Sequence, residues 1–164
     1  MVYTGVDFSP ALLALAGQLP GSFIHRDLSR PEALDGLEEF ELIVCLSTLQ
    51  HIAGRNNRAR LLGEMAAHLA PGGRVITANW QFLRSDRQRR KIRPWAEAGI
   101  DAAGVEEGDY LLSWERGGMG WRYVAHLDAA ATRDLATAAG LTIIEQFLSD
   151  GREGDLNLYT ILAG

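Results

Sequence analysis

Short continuous apolar runs alternate along the chain with stretches of helical spacing, the pattern of a parallel sheet covered on both faces. Val2–Phe8 predicts a first strand, which ends at Ser9-Pro10, a capping hydroxyl followed by proline at the first helical position. Ala11–Ala16 predicts a short helix closed by Gly17. Ser22–His25 predicts a second strand that delivers Asp27 beyond its C-terminal end. Ser29–Glu39 is acidic and interrupted by Pro31, which predicts a loop with one helical turn at most. Glu41–Leu46 predicts a third strand, central in the sheet and covered on both faces. Asn57–Leu69 predicts a helix with Leu61, Leu62, Met65 and Leu69 on one stripe, stopped by the breaker cluster Ala70-Pro71-Gly72-Gly73. Arg74–Asn79 predicts the fourth strand. The span 84–123, rich in charge, glycine and tryptophan, predicts an irregular substrate-side insertion. Asp128–Ala139 predicts a helix with Gly140 after its end. Leu141–Leu148 and Leu156–Leu162 predict two last strands joined by a turn, so the final strand runs antiparallel to its neighbours.

Composition narrows the classes. A length of 164 residues with 47% apolar content suits one domain over the whole of 1–164. A net charge of −5 excludes a globally basic nucleic-acid binder. The charge is segregated, however. Arg84, Arg87, Arg89, Arg90, Lys91 and Arg93 stand against Asp86 alone, so this block carries +5 and the remainder −10. Such a block suits a phosphate-facing patch or a solvated helix face. The lone Cys45 lies within an apolar run, which predicts a buried, inert thiol and excludes a disulfide framework. No run approaches the roughly 18 apolar residues of a membrane span, and the N-terminus has no charged-then-apolar leader pattern. The expectation is a cytoplasmic chain with no membrane partner.

Tyr3-Thr4-Gly5-Val6-Asp7-Phe8-Ser9 reads as a strand that hands an acid to a nucleotide ribose. In dinucleotide-type folds a glycine-rich strand-turn-helix stands about 20 residues upstream of such an acid. Only Met1 and Val2 precede it here, so the expectation is a fold without its first βα unit and with weak or no cofactor binding.

Four segments in order carry a resemblance: Tyr3–Ser9; His25-Arg26-Asp27-Leu28; Phe40-Glu41-Leu42-Ile43-Val44-Cys45 with Leu49-Gln50-His51-Ile52; and Leu69-Ala70-Pro71-Gly72-Gly73-Arg74-Val75-Ile76. Together the chain resembles the class I S-adenosylmethionine-dependent methyltransferases. The resemblance implies an α/β, Rossmann-like sheet, mostly parallel with an antiparallel last strand, and S-adenosyl-L-methionine as cofactor. It implies that Asp7 accepts hydrogen bonds from both ribose hydroxyls, although the same acid suits a helix cap. Asp27 would meet the adenine amino group with Leu28 or Ile24 against the ring face, and Phe8, Leu46 and Ser47 would complete the cofactor set. His51 would orient the acceptor or pack beside the cofactor. Asn79, Trp80 and Gln81 would line the acceptor pocket. Gly72 and Gly73 serve backbone shape.

Gly108-Asp109-Tyr110-Leu111-Leu112-Ser113-Trp114 and Trp121-Arg122-Tyr123-Val124-Ala125-His126 are similar to the wobble-uridine tRNA methyltransferases, which methylate the carboxylate of carboxymethyluridine. The match holds at Arg122 and Tyr123. It departs at Val124-Ala125, where the family's histidine position holds alanine and His126 follows one residue late. The resemblance implies that Arg122 and Tyr123 hold a carboxylate, which is ionised at neutral pH and needs no base. An amine or hydroxyl acceptor would ask more of His51 or His126. The partner expectations are tRNA or a small-molecule acceptor, and self-association through unpaired sheet edges.

Overall fold

The computed structural model describes residues 3–114 and 117–164; Val2, the start expected for the first strand, lies outside them. Three sheets form. β1 (Thr4–Asp7) pairs in parallel with β2 (Ser22–His25), with helix α1 (Pro10–Ala16) between them. β3 (Phe40–Leu46), β4 (Leu69–Trp80), β8 (Thr142–Ser149) and β9 (Asn157–Ala163) make a second sheet in the order β3-β4-β9-β8. The span expected to be irregular holds a third sheet of β5 (Ile92–Arg93), β6 (Asp109–Trp114) and β7 (Gly120–Ala125). Helix α2 (Arg55–Ala67) connects β3 to β4, a four-residue helix α3 (Asp86–Arg89) precedes β5, and α4 (Ala129–Ala138) leads into β8.

The final strand is antiparallel to both neighbours, as the short connection requires. The expectation of a mostly parallel sheet is corrected. Among the described residues only β1–β2 and β3–β4 pair in parallel, while β4–β9, β8–β9, β5–β6 and β6–β7 are antiparallel. For β6–β7 and β8–β9 the physical reason is local connectivity, since the short connections after β6 and β8 allow pairing only in opposite directions.

α2 begins two residues earlier than its stripe suggested and stops at Ala67, so Leu69 opens β4 instead of closing the helix. The breaker cluster then sits inside β4 as a bulge, where the partner of β3 jumps from Leu69 at Phe40 to Arg74 at Leu42. One face of the second sheet, through Cys45, Val75 and Leu162, packs on Leu61, Leu62 and Met65 of α2 and Leu135 and Ala136 of α4. Each fully buried leucine there contributes roughly 1.5–3 kcal/mol. The opposite face of β3 corrects a second expectation. Leu42, Val44 and Leu46 remain 50–51% exposed, because β3 ends its sheet and β1–β2 form a sheet of their own. No described helix is long and apolar enough to cross a membrane.

Candidate active site at the carboxyl edge

The tips of β1 and β2 lie in register, Asp7 opposite His25. Asp7 Oδ1 accepts the Ser9 backbone N–H at 2.7 Å, and Ser9 in turn caps α1. Among the described residues no partner is seen for Oδ2 of this half-buried carboxylate, which suits a hydroxyl donor. Phe8 beside it is 71% exposed, and its carbonyl bonds His25 Nε2 at 2.8 Å. Asp27 accepts the Ser29 N–H at 2.9 Å and its hydroxyl at 2.6 Å. Those bonds, with Arg30 at 3.4 Å, hold its carboxyl below the ordinary value. Asp27 is therefore an anion at neutral pH. Leu28 is half-buried and packs against the main core, which corrects its expected place against an adenine ring. The donor set suits an adenosyl ligand: a carboxylate with a free oxygen for a diol, an exposed aromatic ring and a second, ionised carboxylate just past the neighbouring strand.

β3 ends at half-exposed Leu46 and then Ser47, whose φ of 52° turns the chain sharply while its N–H bonds the Ala78 carbonyl at 2.8 Å. A 3-10 turn, Leu49–His51, follows with Leu49 and Gln50 buried. His51 Nδ1 lies 2.9 Å from the Tyr123 carbonyl oxygen, so the structure brings the turn after β3 against β7. Burial, with Arg122 nearby, holds His51 below its ordinary value of 6.5.

At the tip of β4 the three pocket candidates divide. Asn79 is buried at 1% exposure, and Gln81 is buried and donates to the carbonyls of Asn79 and Leu127 at 3.1 and 2.9 Å. Trp80 is half-exposed and tilts against Phe82. Phe82 also meets the edge of His126, whose pKa burial lowers. Arg122 stacks 4.0 Å over the ring of exposed Trp114. The Tyr123 hydroxyl accepts from Arg58 at 2.7 Å. Burial, with Asp109 beside it, pushes that phenol well above its ordinary range, so it stays protonated.

A network with no motif of its own supports this edge. Arg58 Nη1 also donates to the Ile52 carbonyl at 3.0 Å, and Nη2 to Glu106 at 2.9 Å, with Asp109 3.6 Å away. Gly54 offers α2 no capping side chain, and the Glu106 carboxylate replaces it by accepting the Arg55 N–H. The signal in the sequence is a charged residue in the α2 stripe: Arg58 precedes Leu61 and Leu62 by three and four positions and is buried with them. A cleft of about 750 Å³ opens beside this network between α2, α4 and the start of β6.

Residues 1–75 match a family model described as "Methyltransferase domain". The chain is similar to a solved S-adenosylmethionine-dependent methyltransferase from Methanosarcina mazei, with a TM-score of 0.70 and 19% identity over 98% of this chain and 81% of that one. It is similar also to a glycopeptide N-methyltransferase solved with S-adenosyl-L-methionine, with a TM-score of 0.64 and 16% identity over 98% and 76% of the two chains. The fold is that of the class I methyltransferases. In sequence, this methyltransferase-like chain is 26% identical over 106 residues to a candidate methyltransferase of Encephalitozoon cuniculi (strain GB-M1). That stretch covers 65% of this chain and 46% of the relative, so the chain matches about half of the relative's length.

Proposed function

We propose that the chain performs methyl transfer from S-adenosylmethionine at the carboxyl edge of its parallel strands. The observation that carries this reading is Asp7 on the tip of β1, beside Asp27 just past β2, within a methyltransferase fold. When bound, the cofactor supplies an electrophilic methyl group on a sulfonium. Asp7 holds the ribose through its free oxygen, with Phe8 beside it. Ser47 and Leu46 shape the end of β3 that faces the reacting centre, and Trp80 and Arg122 border the acceptor side. Orientation and exclusion of water at this edge supply the acceleration, up to roughly 7–11 kcal/mol from proximity. Titration calorimetry with S-adenosylhomocysteine tests the reading. The reading requires that wild type binds, against the weak or absent binding expected from the sequence, and that Asp7→Ala weakens binding by about tenfold or more, as for a charge-assisted hydrogen bond. Equal affinities would remove Asp7 from the site.

A narrower reading places the acceptor on tRNA, at a modified wobble uridine. It is supported by the cation block, in which Arg87 and Arg90 are exposed and no ion pair is seen for them or Lys91 among the described residues. Trp114 and Trp121 add exposed rings on the adjoining sheet. Binding of an anticodon stem-loop should weaken steeply with salt, and a flat salt response would favour a small-molecule acceptor instead.

A further inference from the structure

His51 is held in one tautomer, and the nitrogen left over defines an acceptor chemistry. Its Nδ1 is 2.9 Å from the Tyr123 carbonyl oxygen. A carbonyl only accepts, so Nδ1 carries the proton and Nε2 the lone pair. The backbone N–H of Trp80 donates to Gln50 Oε1, which fixes the amide and aims its NH₂ group at His51 Nε2. That amide is a donor, so it too requires Nε2 to be the acceptor. The Gln50–His51 contact is long, 3.4 Å, and an incoming N–H or O–H can displace it. Tyr123 itself is anchored by Arg58, which also holds the carbonyl of Ile52 next to His51. The imidazole is thus braced from both sides while its exposed edge faces solvent.

We propose that His51 Nε2 is the proton acceptor of the reaction, and that the methyl acceptor presents an N–H or O–H group to it. The nucleophile's lone pair forms the new bond to the methyl carbon, the carbon–sulfur bond breaks with its electron pair going to sulfur, and the displaced proton moves to Nε2. The imidazolium then returns that proton to water. The proposal rests on the methyltransferase reading and selects within it, because a carboxylate acceptor has no proton to give. Neutral imidazole is required, and His51 is neutral at pH 7 because its pKa lies below 6.5. Arg122 of β7 is the charged group that bears on it; Arg58 of α2 and Asp109 of β6 bear on the Tyr123 phenol.

Nitrogen NMR of the full chain labelled with ¹⁵N-histidine reads the tautomer directly, with His51 assigned by His51→Gln. The expected spectrum at pH 7.5 shows Nδ1 protonated and Nε2 bare, with a midpoint below 6.5; an Nε2–H form overturns the proposal. Methyl transfer is then followed on two anticodon stem-loops, one carrying 5-aminomethyluridine and one 5-carboxymethyluridine. The amine should be methylated, with activity lost as pH falls below 6.5. His51→Gln should lower kcat by about 100-fold or more and leave S-adenosylhomocysteine affinity unchanged. Transfer to the carboxylate that survives His51→Gln overturns the proposal. If neither stem-loop is methylated, the nitrogen spectrum decides alone. Failure of wild type to bind S-adenosylhomocysteine sinks the methyltransferase reading, whereas the nitrogen spectrum still reports which His51 nitrogen holds the proton.

Discussion

Arg58 carries a full charge at 4% exposure, and its surroundings explain how the fold tolerates it. One guanidinium serves a backbone carbonyl, a phenol and two carboxylates. Arg58→Met keeps the volume and strands Glu106 and Asp109, so the loss should reach about 3–5 kcal/mol in urea unfolding. Asp109 adds a pH signature. Its pKa is raised, with burial the largest cause, so its protonated form is the one the fold favours. The stability from that proton is fully present below the unfolded value of 3.8 and is lost as pH rises through the raised folded value. Asp109→Asn removes this loss. Urea unfolding of the two proteins should therefore show the asparagine variant gaining on wild type as pH rises from 3 through that window. A constant difference would mean that Asp109 titrates normally. Cys45 needs no such test of reactivity: burial pushes its thiol up to about 11, leaving it protonated and inert.

At the scale of elements, the bulge in β4 shows what a turn motif requires. A Cβ on Gly73 would stand 2.9 Å from the Ala70 carbonyl oxygen, 3.0 Å from that of Phe40 and 3.2 Å from that of Glu41. All three are backbone atoms and cannot rotate away. Gly73→Ala should cost about 1–3 kcal/mol, whereas Gly36→Ala meets only open space around its Cβ and suffers only its positive φ. Thermal unfolding of the two variants separates close approach from backbone strain. The glycine pair was legible in the sequence, and so were β2, α2, α4 and the antiparallel last strand, because each carries its own periodicity or punctuation. The third sheet was not. Its hairpin strands, Asp109–Trp114 and Gly120–Ala125, mix charge with aromatics and lack a clean alternation, since one face packs on Phe82 while Trp114 and Trp121 stay wet. At the site, Asp7 stands at the tip of β1 and Asp27 just past β2, where the strand pattern placed them, while their roles toward a cofactor belong to the proposal. Asn79 and Gln81 read as pocket lining because polarity at a strand end does not reveal that the side chain turns inward. Glu106 capping α2 from 51 residues away left no local trace.

For the whole molecule, the uncovered face of the second sheet matters most. Leu42, Val44 and Leu46 point to the side away from α2, on a terminal strand whose outer edge pairs with nothing among the described residues. α1 offers no cover, since Leu12 and Leu15 are themselves 56% and 64% exposed. An exposed apolar edge strand is a template for pairing with another chain. Wild type should therefore associate with rising concentration in sedimentation velocity. Val44→Lys places a charge in the middle of that strand at a position already half in water. Its cost to folding should stay near about 1 kcal/mol, the value of a half-buried apolar side chain. Association should fall sharply while unfolding in urea barely shifts. If Val44→Lys instead unfolds the chain, Val44 belongs to a core that a second layer covers in solution, and the open face of β3 is the place where that layer sits.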